Sequence, residues 1–292
     1  MAVGGKPDWL RVRAPGGETF TKVRELARRS GLHTVCDSSH CPNISDCWSR
    51  GHATFMILGR RCTRDCAFCA VEHGAPEPVD LGEPEHIAAA VRDLKLEHVV
   101  VTSVTRDDLP DQGAGQFRAV VEAIRELSPG TRVELLIPDM GSSRSSIGTV
   151  CASVPDVLGH NIETVERLQG VRDRKSSYCR SLSALSLMAE LAPGAVIKSS
   201  LMLGLGETRE EVMATLRDLR KAGVSAITMG QYLRPGNGRL EVSEYIFPGT
   251  FAELGEAARA MGFRHVASGP LVRSSYNAHE MLTNRTENHA DR

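Results

Sequence analysis

The sequence predicts an α/β protein built on a parallel sheet, and three observations carry that expectation. Short apolar runs bounded by turn residues recur along the chain, each followed by a stretch with helical spacing. Six such runs alternate with helices, which implies right-handed βα units whose strands pair in parallel. Helix-start signals stand where helices should begin: Pro84 follows Glu83, and Thr208 to Glu211 and Thr250 to Glu253 both fit a capping box. Spacing alone leaves a barrel and an open doubly wound sheet equally allowed.

Taken in order, residues 1–19 are rich in Pro and Gly and read as an arm. Phe20, Val23 and Ala27, with Leu26 beside them, share one face of a short helix ending at Gly31. A cysteine-rich loop with Pro42 and Asn43 leads to a short continuous apolar strand, 54–58, ended by Gly59. A helix opening at Glu83 precedes strand 98–102, and helix 115–127 precedes strand 133–137, stopped by Pro138. A helix near 146–152 leads to strand 156–158, helix 178–191 to strand 196–203, and helix 209–222 to strand 226–232. A last helix opens at Thr250, and residues 283–292 are polar. The expected divisions are an N-terminal extension, 1–50, a central βα body, 51–248, and a C-terminal extension, 249–292.

Composition narrows the function classes. Hydrophobic content of 41% suffices for a core, and 24% charged residues argue against general disorder. A net charge of −1 makes no electrostatic case for nucleic acid. No apolar run approaches the roughly 20 residues needed to cross a bilayer, and residues 1–17 hold no apolar signal core. Eight cysteines without a secretory signal fit a reducing compartment. The expectation is a cytoplasmic protein without a nucleic-acid or membrane partner.

Six of the eight cysteines lie between Val35 and Val71, in two triplets. Cys36, Cys41 and Cys47 are separated by four and five residues, and Cys62, Cys66 and Cys69 by three and two. Thiolates packed so densely can converge on a soft metal centre. Three local ligands leave one iron of a four-iron cluster open, whereas a structural zinc site is closed by four. A zinc knuckle using His40, His52 or His73 and a redox thiol cluster remain as alternatives. The second triplet follows the end of a strand, where active sites lie in parallel barrels.

At these residues the chain resembles a known family. CTRDCAFC is the CxxxCxxC signature of radical S-adenosylmethionine enzymes, and CDSSHCPNISDC before it resembles the auxiliary-cluster motif of the lipoyl synthases. HNIETV, YCRSL, IKSSLMLGLGET, GQYLRP and ASGPLVRSSY resemble segments of that family in the same order. The resemblance implies a partial (β/α)6 radical-SAM barrel whose terminal extensions carry an auxiliary cluster. It implies two [4Fe–4S] clusters: one on Cys62, Cys66 and Cys69 that binds S-adenosylmethionine, and one on Cys36, Cys41, Cys47 and Ser275 that is sacrificed as the sulfur source. The implied reaction inserts sulfur at C6 and C8 of a protein-bound octanoyl-lysine. Its partners would be a low-potential electron donor and octanoylated carrier domains of the 2-oxoacid dehydrogenase E2 or glycine cleavage H-protein type. The alternatives are a biotin-synthase-like enzyme acting on a free small molecule and a non-catalytic iron–sulfur or zinc scaffold.

Strand ends are where further site residues are expected. By resemblance, Asn161, Glu163, Arg180 and Ser199 lie around the bound S-adenosylmethionine. Read without it, Asn161 and Glu163 suit either a ribose or amino group or a helix cap, and Arg180 suits a carboxylate or solvent. The hydroxyls and carboxylates of 102–109 suit a polar cofactor or a capped turn. Lys198 lies inside an apolar strand, where it requires a partner or a ligand. Gly204 to Thr208 reads equally as a phosphate loop and as a tight turn. Cys151 is expected in a helix core, and neither it nor Cys179 is assigned to metal.

Overall fold

Strand order decides between the two architectures the sequence allows. The computed structural model describes residues 5–12, 16–50 and 52–275. Its elements are α1 (Glu18–Arg29), β1 (His33–Thr34), α2 (Val35–Ser38), α3 (Ile44–Ser49), β2 (Thr54–Ile57), α4 (Glu83–Asp93), β3 (His98–Ser103) and α5 (Ala114–Leu127). They continue through β4 (Arg132–Leu136), α6 (Arg144–Cys151), β5 (Val157–Gly159), α7 (Tyr178–Leu191), β6 (Val196–Leu203), α8 (Arg209–Lys221), β7 (Ala226–Gln231), α9 (Pro248–Ala260) and β8 (His265–Ser268).

The strands form one sheet in chain order, β1 to β8, parallel throughout except that β1 is antiparallel to β2. A doubly wound sheet reverses its order at a switch point; this one does not. Right-handed crossovers that always step the same way place every helix on one face, and the sheet coils inside them. Successive helices touch from α4 through α8, as an outer ring requires. Among the described residues β8 does not pair with β1, so the barrel stays open.

Side-chain alternation then sorts the two faces. Val99, Val101, Val133, Leu135, Ile197, Ile227 and Met229 point outward into the main core with the helices. Inside, Val157, Val196 and Ala226 pack together with Ala267 at the strand starts and close the floor. One level higher, Lys198 Nζ lies 2.7 Å from Glu134 Oε1, with both side chains 3% exposed. Glu134 is thus the partner that a lysine in an apolar strand requires; removing either member would cost about 3–5 kcal/mol.

The six expected helix–strand alternations are all present. Thr208 and Glu211 form both halves of their capping box. The second expected box does not form: Pro248 opens α9 two residues before Thr250, and Glu253 instead pairs with Arg209. Two strands escaped the sequence reading. β8 is only half-buried along its length, and β1 is two residues long, so neither shows a buried run.

Beyond β8 the chain reaches back to the first cysteine loop. The segment after β8 crosses β7, with Gln231 N donating to Pro270 O and Asn43 Nδ2 to Leu271 O at 2.6 Å. This crossing requires glycine at 230, because a Cβ there would collide with Val272 O. Gly230→Ala is expected to cost about 1–3 kcal/mol and to loosen the crossing segment, read as a lower unfolding midpoint and faster tryptic cleavage at Arg273.

Candidate active site

A cavity of ≈ 600 Å³ opens at the C-terminal ends of the strands. Its entrance from β2 is a constrained turn. Leu58 and Gly59 take φ of +69° and +89°, a region that costs a non-glycine residue energy. Glu83 accepts from Leu58 N at 3.0 Å and Arg106 donates to Leu58 O, so buried partners hold the turn.

Beyond this turn Cys62, Cys66 and Cys69 line the cavity. Backbone amides already point at all three sulfurs: Arg64 N and Thr105 N at Cys62 and Asp173 N at Cys66, all within 3.3–3.4 Å, and Val71 N at Cys69. Such bonds orient thiolate ligands and tune the metal they hold. Burial raises the Cys66 thiol, and burial with its two sister thiols raises Cys69 to about 12. These thiols deprotonate when a cationic metal replaces the proton. No three His, Cys, Asp or Glu side chains among the described residues are gathered closely enough for a single metal ion; the thiols stand around a space.

The loop is clamped by a residue the sequence reading passed over. Arg64, inside the cysteine motif, is buried between Asp107 and Asp139. It donates to both oxygens of each carboxylate, at 2.7–3.0 Å. Burial opposes ionisation of Asp139, but the Arg64 contacts outweigh it and hold the carboxyl at about 2. The same two carboxylates raise Arg64 further. Asp107, expected as a possible cofactor grip, is therefore spent on the loop, and Thr63 also binds it.

Asn161 and Glu163 line the cavity, with Glu163 beside β6 in a left-handed conformation, φ +68°. Burial raises the Glu163 carboxyl, with Arg172 and Asn161 acting against it. Two expected residues are not there. Arg180 lies outside the cavity, in the first turn of α7 that Ser177 caps, and its guanidinium turns back to Lys175 O. Ser199 faces the outer layer and accepts from Ile162 N at 3.1 Å. Arg172 and Ser200 line the cavity instead. Arg172 also binds Ser181 Oγ at 2.8 Å, which bonds His160 Nε2 while His160 Nδ1 donates to Ile137 O. Burial first, then Arg172, lowers His160 to about 4. In the Gly204 to Thr208 turn, Glu207 accepts from Gly204 N and Leu205 N, so the chain's own carboxylate fills the anion position.

The first cysteine triplet lines a second, smaller cavity. Cys36, Cys41, Cys47 and Ser275 all line a cavity of ≈ 40 Å³, and Cys36, Cys41 and Ser275 border the large one as well. Burial raises all three thiols; Cys47, with the other two nearby, reaches about 12. Arg273 lines both cavities. The donor set, three thiols and one hydroxyl at one cavity, fits an iron–sulfur cluster with three thiolates and one harder ligand. Tyr276 lies outside the described residues.

Comparisons with known proteins agree with this geometry. The profile of the radical SAM superfamily matches residues 56–219. Proteins named lipoyl synthase are 50% identical in Rubrobacter xylanophilus, over 94% of this chain and 86% of that one, and 50% identical in Deinococcus radiodurans, over 97% and 86%. The Pyrobaculum calidifontis lipoyl synthase is 52% identical over 94% of this chain and 95% of its own. Among solved structures, HydG, a maturase of the [FeFe]-hydrogenase, aligns with TM-score 0.57 at 13% identity, over 85% of this chain and 66% of that one. Methylornithine synthase aligns with TM-score 0.55 at 13% identity, over 85% and 74%. These two likenesses establish the fold.

Two outcomes test the site. Arg64→Lys keeps the charge and loses the planar fork; it is expected to lower the iron and sulfide retained by the second triplet, Cys62, Cys66 and Cys69, after anaerobic reconstitution. His160 gives a pH signature. The unfolded chain takes up its proton below about 6.5, and the folded chain refuses it until about 4. Stability is therefore full above the unfolded value and falls as pH drops towards 4, by about 2 kcal/mol at pH 5. Urea unfolding of the metal-free chain at pH 7.5 and 5 should show a smaller difference for His160→Gln.

Proposed function

The chain belongs to the lipoyl synthase family of the radical SAM superfamily, and from that premise we propose the full reaction and the role of each site residue. It inserts two sulfur atoms, at C6 and C8, into an octanoyl chain borne on a lysine of a lipoyl-carrier domain. Carriers of the 2-oxoacid dehydrogenase E2 or glycine cleavage H-protein type fit this chemistry, with electrons from a low-potential donor. The observation that carries the reading is the meeting of two cysteine triplets, with Ser275, at two contiguous cavities.

Bound at these cavities, the clusters and S-adenosylmethionine supply a carbon radical able to attack unactivated C–H bonds, and sulfide to replace the hydrogens. Cys62, Cys66 and Cys69 hold the cluster that carries S-adenosylmethionine. Glu163 and Asn161 receive its amino group, since an ammonium beside a buried carboxyl favours the ionised form. Arg172, rather than Arg180, receives its carboxylate. Met56, Leu136, Met202 and Tyr232 on the cavity wall enclose the acyl chain and exclude water, so the reacting carbons are held in place. Cys36, Cys41, Cys47 and Ser275 would hold the second cluster, which would serve as the sulfur source. A serine oxygen is a poorer match to an iron–sulfur cluster than a thiolate, so Ser275 would hold its iron less firmly than the three cysteines.

Replacing Cys36, Cys41 and Cys47 together by Ala tests the division of labour. Anaerobic iron and sulfide analysis with Mössbauer spectra should fall from two [4Fe–4S] clusters to one, with S-adenosylmethionine cleavage kept and no sulfur product formed. A single cluster in the fully reconstituted wild type would overturn the sacrificial reading.

A further inference from the structure

Glu163 and Arg172 both line the large cavity, and a residue that does not line it, Gln169, joins them. Glu163 has a left-handed backbone, φ +68°, unfavourable for a side chain of its size. On one side β6 holds it: Glu163 N donates to Ser200 O at 3.1 Å, and Met202 N donates to Glu163 O at 2.8 Å. On the other side Gln169 Nε2 donates to Ile162 O at 3.1 Å and to Thr164 O at 2.7 Å, the two carbonyls that flank Glu163. An amide nitrogen between two carbonyls settles which way the group faces, because the amide oxygen cannot take that place. The Gln169 oxygen is thereby turned to Arg172, whose Nη1 donates to it at 3.1 Å.

Nη1 is gripped from a second direction. It donates to Ser181 Oγ at 2.8 Å. His160 Nδ1 donates to Ile137 O, which leaves Nε2 to accept the Ser181 hydroxyl at 2.9 Å. The Ser181 proton therefore points away from Arg172 and its lone pairs towards it. Nη1 carries two hydrogens, and Gln169 and Ser181 accept both. The edge formed by Nε and Nη2 takes no part in these bonds, and two parallel N–H groups are what a carboxylate binds best. The same short segment is pinned to the cysteine loop, where Ala67 N donates to Val171 O at 2.8 Å and Asp173 N to Cys66 Sγ at 3.3 Å.

We propose that Gln169 is a positioning residue that fixes the spacing of Arg172 and Glu163, so that the pair reads the carboxylate and the ammonium of one α-amino acid, the methionyl end of S-adenosylmethionine. This rests on the large cavity being the S-adenosylmethionine site. An α-amino acid carries its two charges on a single carbon, so the groups that meet them must stand at one separation. Gln169 ties the arginine side chain to the backbone on both sides of the glutamate, and a pair ordered before the ligand arrives loses less freedom on binding.

The test uses the full reconstituted chain without reductant, so that S-adenosylmethionine binds and is not cleaved. Equilibrium dialysis compares it with 5′-methylthioadenosine, which keeps the nucleoside and the sulfur and lacks the amino-acid end. Gln169→Leu, similar in size without the amide, should weaken S-adenosylmethionine about ten-fold, the scale of one hydrogen bond to a charged group. Binding of 5′-methylthioadenosine should not change. In an Arg172→Lys background the same substitution should add about two-fold or less, because members of one network are not additive. Iron and sulfide per chain should match the wild type; a loss of either makes Gln169 a prop of the cysteine loop and overturns the proposal. Equal weakening of both ligands, full additivity with Arg172→Lys, or no weakening at all also overturns it and leaves the S-adenosylmethionine site standing. A reconstituted wild-type chain that binds no S-adenosylmethionine overturns both.

Discussion

The site depends on one buried cation. Arg64 lies between the first two cysteines of the CxxxCxxC motif, yet its guanidinium meets Asp107 and Asp139, each just beyond the C-terminal end of a strand, β3 and β4 respectively. Two carboxylates this close would repel each other and, being buried, favour protonation. Arg64 reverses that balance and keeps Asp139 ionised down to about 2. The loop after β2 is thereby tied to the two neighbouring strand ends by desolvated charges, and losing one partner of such a set costs several kcal/mol. The thiols behave oppositely: burial keeps Cys66 and Cys69 protonated until a metal arrives. The spacing of the sulfurs is thus imposed by groups that need not touch any ligand.

A second set of ties joins the two cysteine loops. Arg239 Nη1 pairs with Asp65 at 2.8 Å, and Leu240 N donates to Ala67 O, both inside the second triplet's loop. A few residues earlier, Pro235 O meets His40 Nδ1, inside the first triplet's loop. The segment after β7 therefore touches both sites, while the stretch around Leu271 fastens to Asn43. These contacts bridge the open edge of the barrel without closing the sheet.

Much of this was legible because it rests on pattern. The strands announced themselves as apolar runs since their outward faces all enter one core, and the triplets announced themselves by spacing. What failed did so for identifiable reasons. Ser199 and Ser200 are both buried, at 1% and 7% exposure, because β6 is covered on both faces; alternation there carries no polarity contrast, and the sequence offered no way to choose between them. Arg180 and Arg172 lie eight residues apart on either side of a helix start, and the sequence carries no signal for which one lines the cavity; in the fold the Arg180 guanidinium turns back to Lys175 O and Arg172 lines it. The glycines of 204–206 suit an anion, but the chain supplies its own in Glu207.

The two sites differ in how firmly the fold holds them, and that difference has a source in the chain. The second triplet lies within the stretch that matches the radical SAM superfamily, residues 56–219, and its loop is bound through Arg64 to Asp107 and Asp139 beyond two strand ends and to the backbone of Val171 and Thr105. The first triplet and Ser275 lie outside that stretch. Their donors sit on or beside α2 and α3, helices of four and six residues, and on a turn. Proteins open locally where short elements and few buried contacts hold the chain. On the proposed function, one cluster must survive turnover and the other must be taken apart. A site assembled from both chain ends can release iron and sulfide without disturbing the strands, whereas one built on strand ends cannot. On that proposal, a consumable site placed outside the barrel's central body would let the two requirements coexist in one fold.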